Sequence, residues 1–310
     1  NQGLDVWTLF DHWVPHVIGM RTEVTLALDW TDFDKDGHST IALHVVTRHG
    51  RATPLIWKTV RKDELKGRRN DYEDQVLLRL RDTVPDFTRV TLLADRGFGD
   101  VKLYQLLDSL NFRYVIRFRG AITVKDRHGQ AKPAEEWLAE NGRARMLKDV
   151  RVTQDDIPVP AVVCVKAKGM KEAWFLATNM ADASAAVLVT LYGKRFTIEE
   201  GFRDTKDLRF GMGLSATSIA DPLRRDRILL LGALVISLLT LLGAAGEATG
   251  LDRRFRANTS KERAYSLLRQ GCMYYEAFPT MRDEWAIPLV TAFERLVAAN
   301  PVLTQALSLV

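Results

Sequence analysis

Cysteine is nearly missing from this sequence of 310 residues: Cys164 and Cys272 are the only two, far apart, with no CxxC spacing and no histidine companions. That scarcity excludes a disulfide framework and a cysteine zinc site, and it fits a reducing, cytoplasmic setting. Internal repeats and low-complexity linkers are missing too, which excludes a solenoid or a string of loosely tethered modules. No charged-then-apolar signal segment follows Asn1, and a first residue other than Met makes the chain read as a piece of a longer protein. Long apolar runs are reduced to one. Ile228–Ala245 holds eighteen residues without a charge, the lower limit for a membrane span, and Ser237, Thr240 and two glycines interrupt it. With Arg224, Arg225 and Arg227 just ahead and no second such run, it is expected to be a buried core helix, with no membrane as partner.

What is present suits a soluble enzyme core. A chain of this length can bury a large interior, and a formal charge of +5 with a pI near 9.2 favours an acidic partner. Asp32-Phe-Asp34-Lys-Asp36-Gly37 imitates the start of an EF-hand calcium loop, but the twelfth position, which needs a bidentate acid, is Leu43. A solvated hairpin turn between two strands is the better reading of that cluster.

Period-two and short apolar runs predict strands at Val24–Asp29, Thr40–Arg48 and Thr53–Val60. A charged helix follows near Asp71–Thr83. After it come a strand ending at Asp95, a helix Val101–Leu110 that Asp100 would cap, and a strand Tyr114–Phe118. Two of these runs stop abruptly at an acid: Val24-Thr-Leu-Ala-Leu-Asp29-Trp, and Val90-Thr-Leu-Leu-Ala-Asp95-Arg-Gly97. Strand ends are where rigid scaffolds present reactive groups, although a lone acid there is more commonly an ordinary turn residue. Asp29 and Asp95 are 66 positions apart, and 104 more separate Asp95 from Glu199. The long second interval holds alternating segments near Met146–Thr153, Ala161–Val165 and Trp174–Thr178, a β-rich insertion.

The most informative stretch runs from Tyr192 through Arg195 and Glu199 to Lys206. As one helix, at 100° per residue, these four side chains fall within an arc of about 60° along roughly 21 Å of axis. Glu199 then lies between two cations, a layout suited to phosphoryl transfer on a polyanion. Glu200 is rotated off that face and reads as a solvated neighbour. An amphipathic helix with ordinary i,i+4 pairing would give the same pattern.

The spacing Y-x2-R-x3-E-x6-K, with LDWTDF and LADRGF ahead of it in that order, resembles the catalytic segments of the bacterial insertion-sequence-four group of DDE transposases. The resemblance implies an α/β, RNase H-like mixed sheet flanked by helices, with a β-rich insertion before the Glu-bearing helix and a helical C-terminal region. The expected divisions are 1–119 and 181–245 for the catalytic core, 120–180 for the insertion and 246–310 for the C-terminal helices. Asp29, Asp95 and Glu199 would hold two Mg²⁺ ions, with Mn²⁺ able to substitute. Tyr192, Arg195, Lys206 and Arg203 would contact DNA phosphates. Trp174 would stack on a flipped base, or else pack in the insertion's own core. The implied activity is cut-and-paste transposition on double-stranded DNA, both inverted-repeat ends and target, by a homodimer on paired ends in the nucleoid-containing cytoplasm. A nuclease that only hydrolyses, or a retired DNA-binding protein, remains as an alternative. The resemblance also implies an amino-terminal end-recognition region, expected to be largely absent before Asn1, which puts autonomous sequence-specific end binding in doubt. Helical spacing is expected at Asn258–Gln270, with Ser260 as cap, and at Trp285–Val310.

Overall fold

A computed structural model describes residues 3–47, 51–208, 211–257, 259–260 and 262–300. Arg48, Asn258, Lys261 and residues 301–310, which the sequence assigns to a strand and two helices, lie outside the described residues. Ten strands form one mixed sheet in the order β3-β2-β1-β4-β5-β10-β9-β8-β6-β7. The first three, β1 (Glu23–Phe33), β2 (His38–Val45) and β3 (Thr53–Arg61), are an antiparallel meander. The acid cluster makes the turn between β1 and β2, closed by Gly37 at φ 62°, a left-handed position that costs glycine little. Next, β4 (Arg89–Ala94) runs parallel to β1, and β5 (Arg113–Arg117) parallel to β4. Parallel neighbours need crossovers, supplied by α2 (Arg69–Thr83) and α3 (Val101–Ser109). Asp100 caps α3 as expected, accepting from the Lys102 N–H at 3.0 Å.

The β-rich stretch does not form a separate sheet. It comprises β6 (Thr123–Lys125), β7 (Ala131–Pro133), β8 (Arg145–Val152), β9 (Ile157–Val165) and β10 (Trp174–Thr178), and β10 pairs antiparallel with β5. The core sheet therefore continues unbroken into residues 120–180.

Side-chain alternation divides the sheet into two faces. Val24, Leu26 and Leu28 of β1 join Leu92, Ala94, Tyr114 and Ile116 in the main core. That core is closed by α2, α3 and an amino-terminal helix α1 (Val6–Ile18), which carries Phe10, Trp13, Val14 and Ile18 inward. Helix α1 is not among the elements expected from the sequence, although its apolar residues recur at helical spacing. On the other face Leu93, Val115, Val163 and Leu176 pack under Leu188 and Tyr192 of α4 (Ala185–Gly193).

Two expectations for the C-terminal part need correction. The apolar run forms α6 (Pro222–Ala248), 27 residues long, but only 28% of its most apolar window is buried, so it is not a core helix. By length and composition alone α6 could cross a membrane. One side of it packs on β3, α7 (Leu267–Ala277) and α8 (Asp283–Ala298), while Leu231 and Val235 point outward at 60% and 45% exposure. Its first turn is anchored in the domain, because Arg225 and Asp226 are both buried. The second correction concerns the helix expected from Asn258. It begins only at Leu267, where the Ser266 hydroxyl, not that of Ser260, accepts from the Arg269 N–H at 3.2 Å.

Candidate active site

Register brings the two aspartates together. The β1–β4 ladder ends at the pair Leu28↔Ala94, so Asp29 and Asp95 are the next residues on neighbouring parallel strands. Strand β1 does not stop at Asp29, contrary to expectation: it continues to Phe33 because β2 still pairs with it, as far as Phe33↔His38. Alternation places Asp29 on the same face as Ala27, whose partner is Leu93 of the α4-covered face. Asp95 starts a tight turn, its Oδ1 accepting from the Gly97 N–H at 2.7 Å. A Cβ at Gly97 would sit 3.0 Å from that oxygen, so glycine leaves the carboxylate room.

The Tyr-to-Lys segment is not one continuous α-helix, and this corrects the single-face geometry. Helix α4 ends at Gly193, a 3₁₀ turn spans Lys194–Phe196, and α5 (Thr197–Lys206) follows. The tighter turn rotates everything beyond it relative to an α-helical count. Tyr192 consequently points into the sheet core at 1% exposure, while the Glu199 side chain is 53% exposed. A phosphate contact by Tyr192 requires a phenol at the surface, and here burial raises the phenol's pKa, with Arg195 opposing. Its ring packs edge-on against Trp174 at 5.0 Å, and Phe196, 41% exposed, completes the aromatic cluster.

Arg195 ties the site together. Its Nη1 donates to Asp29 Oδ2 at 3.1 Å and its Nη2 to Glu199 Oε1 at 2.7 Å. The residue is 5% exposed, and its Nε has no hydrogen-bond partner. Asp29 is pushed up to about 6, first by burial and further by Asp95 and Glu199, with Arg195 pulling the other way. Asp29 thus feels both other carboxylates, and Arg195 bridges it to Glu199. Lys206 donates to the Asp32 carbonyl at 2.6 Å and the Thr31 hydroxyl at 3.2 Å, next to Asp29 on the strand. Arg203 is bound to Glu200 instead of being free. Glu200 also faces Arg51 at 3.6 Å, so it is an ion-paired residue, not a merely solvated one. An open cleft of about 520 Å³ is lined by Asp29, Glu199, Arg203 and Lys206 among others.

Oxygen donors of this kind suit a hard divalent cation. In this arrangement, however, no three His, Cys, Asp or Glu side chains among the described residues are gathered for metal binding. The Arg195 guanidinium stands between two of the carboxylates.

Sequence reasoning missed a second pair of arginines. The β4–β5 register Ala94↔Ile116 makes Arg117 the lateral neighbour of Asp95, and Arg96 follows Asp95 directly. Both reach Glu172, Arg117 at 2.6 Å and Arg96 at 3.5 Å, and they hold its carboxyl below the usual range. Arg117 ends a short apolar strand just as Asp95 does, a signal that could have singled it out.

Comparison with protein families matches residues 21–236 to the transposase DDE domain, more than two-thirds of the chain. The chain belongs to the transposase DDE domain family. The match begins ahead of β1 and ends within α6, so it includes Asp29, Asp95, Glu199, the Arg195 turn and the β-rich stretch. Comparison with curated proteins returns no match. The ten-stranded mixed sheet flanked by helices is the RNase H-like fold of this DDE domain. The family acts on DNA and generally uses divalent metal ions, and the chain's positive charge agrees with a polyanionic partner.

Proposed function

We propose that this DDE domain cuts DNA at the ends of a mobile element and joins the freed strand to a second strand, in the manner of the insertion-sequence-four group. One observation carries the reading: Asp29 and Asp95 are lateral neighbours on parallel strands, and Arg195 links Asp29 to the helix-borne Glu199. These three carboxylates would hold two Mg²⁺ ions, or Mn²⁺. When bound, the ions supply an activated nucleophile and charge for the leaving oxygen. In the first step the oxygen of water forms a bond to phosphorus, the bond from phosphorus to the 3′ oxygen breaks, and that oxygen gains a proton. In the second, the new 3′-hydroxyl attacks a phosphodiester of the opposite strand or of target DNA, and one P–O bond replaces another.

The remaining side chains orient the substrate. Arg195 and Lys206 bind phosphates beside the reacting bond, with Arg203 as a weaker contact once it leaves Glu200. Arg96 and Arg117 supply cations on the Asp95 side. Trp174, half-buried with Phe196 exposed beside it, offers an aromatic face for an unstacked base. Tyr192 supports this cluster from below, and direct phosphate contact would require it to move outward. Two copies would act on paired DNA ends in the cytoplasm.

The test uses full-length protein and the DNA bordering its gene, labelled at the element's 3′ end, with Mg²⁺ or Mn²⁺ and Asp95→Asn as control. Cleavage plus a hairpin or joined product, lost in Asp95→Asn, is the expected result. Metal-dependent cleavage with no joined strand would instead identify a nuclease. Binding without cleavage would identify a DNA-binding protein.

A further inference from the structure

We propose that Arg195 is the exchangeable countercation of the metal-free site: a divalent cation enters only as the guanidinium leaves Asp29 and Glu199, and a DNA phosphate receives it. This rests on reading the three acids as the metal site. It adds a consequence, that metal and DNA load cooperatively through one side chain.

Three observations carry it. First, Arg195 reaches carboxylates on two different elements, β1 and α5, so its position decides whether Glu199 is turned toward Asp29. Second, no three acids among the described residues are gathered for metal binding, and the guanidinium occupies the two that it reaches. A metal cation on Asp29 and Glu199 would lie against a positive charge already hydrogen-bonded to the same oxygens, and like charges at that range repel strongly. Third, Arg195 is 95% buried, yet its Nε–H has no acceptor. Arg225 keeps a buried Nη1 without a partner too, so the orphan alone marks nothing; what sets Arg195 apart is that its partner Glu199 is 53% exposed. A phosphate, which accepts from two guanidinium nitrogens at once, would satisfy Nε together with a terminal nitrogen.

The local structure lets Arg195 move. It sits in the short 3₁₀ turn joining α4 to α5, and its guanidinium lies 4.7 Å from the half-exposed ring of Phe196. A side chain hinged there can turn toward the cleft without unwinding either helix. Once it turns, Asp29 and Glu199 are left without the cation that pairs them, which is the state that binds metal best. By linkage, a DNA phosphate that holds Arg195 raises metal affinity, and metal raises DNA affinity by the same factor.

The experiment measures Ca²⁺ binding by titration calorimetry to wild type, Arg195→Gln, Asp29→Asn and Glu199→Gln, each with and without a short duplex of arbitrary sequence that a gel shows uncut. Wild type is expected to bind Ca²⁺ weakly alone and roughly 5–150-fold more tightly with DNA, the usual range for coupled sites. Arg195→Gln is expected to bind Ca²⁺ tightly without DNA, with little further gain on adding it. If Arg195→Gln binds no more tightly than wild type, or if DNA tightens both equally, the exchange idea is overturned while the metal site stands. If Asp29→Asn and Glu199→Gln bind Ca²⁺ like wild type, or no form binds it under either condition, the reading of the acids fails and takes the inference with it. Arg195→Lys guards against a misfolded Gln variant. Its single ammonium cannot span both carboxylates as the guanidinium does, so its affinity should fall between the two, and an affinity equal to wild type counts against exchange.

Discussion

Two buried arginines, thirty positions apart, do opposite jobs. Arg225 is fully buried at the start of α6, donates to Asp36 and to His38 Nδ1, and lies 3.9 Å over the Phe33 ring. Its partner Asp36 has only 9% of its side chain exposed, so the pair is sealed. Arg195 is nearly as buried, but one of its two partners, Glu199, is more than half exposed. A sealed pair cannot exchange its cation without opening the fold. A pair with one partner in solvent can. Arg225 thus fastens α6 to the β1–β2 hairpin, while Arg195 holds a place that something else can take.

The largest effect that tests this contrast is catalytic. Asp29→Asn, Asp95→Asn or Glu199→Gln should each lower DNA cleavage by on the order of 10³-fold or more, since metal ions contribute several kcal/mol to such transition states. Urea unfolding of Asp95→Asn, whose carboxylate takes no part in the Arg195 pairs, should show little loss of stability. A large loss of stability would make Asp95 structural, like Asp36. The next effect lies at the sealed site. Arg225→Leu leaves Asp36 without its partner and should cost about 3–5 kcal/mol in urea unfolding. A cost no greater than that of a surface substitution would erase the distinction between the two arginines.

A smaller effect comes from pH. Burial pushes Asp226 up to about 7, against the opposing hydrogen bond from the Thr59 N–H, and pushes Glu73 to about 7. Folded protein then binds protons that the unfolded chain has released above pH ~4. Stability should therefore be greatest near the low end of that window and decline as pH rises toward 7. Asp226→Asn keeps an acceptor for Thr59 and removes the titration, so it should flatten the decline by a few kcal/mol, seen in urea melts at several pH values. Metal affinity should run the other way, rising with pH through about 6 as Asp29 ionises. Glu200→Gln should do least. Its ion pairs with Arg203 and Arg51 are partly solvated, so a stability change within about 1 kcal/mol and unchanged cleavage are expected. That result beside Glu199→Gln would distinguish the two adjacent acids.

Much of this was legible in the residues. The apolar runs ending at Asp29 and Asp95 marked both acids, and the Asp100 cap and the β-rich stretch were found nearly where expected. What could not be read has physical causes. The pairing that makes Asp29 and Asp95 neighbours is a register between strands more than sixty positions apart, and periodicity carries no information on it. Only Gly193 marks the junction before the 3₁₀ turn at Lys194–Phe196, and a lone glycine is too weak a break to split the pattern, so the segment looked like one helix and Tyr192 like a surface group. Helix α1 was in fact legible: Val6, Phe10, Trp13, Val14 and Ile18 recur at helical spacing behind the Asp5 cap, opposite exposed Thr8, Asp11 and His12, and only Pro15 near its end argues against a helix. The long apolar helix was expected to be buried because composition measures what could be buried, not how many neighbours arrive.

Since β1 meets β4 in parallel, a growing chain cannot place Asp29 beside Asp95 until the whole intervening crossover has emerged from the ribosome. Glu199 comes later still, 170 positions after Asp29. At roughly 5–20 residues per second, synthesis needs on the order of ten seconds or more between the first acid and the last. Throughout that interval the nascent polypeptide lacks a complete set of the three acids, and the cleft between Asp29 and Glu199 does not yet exist.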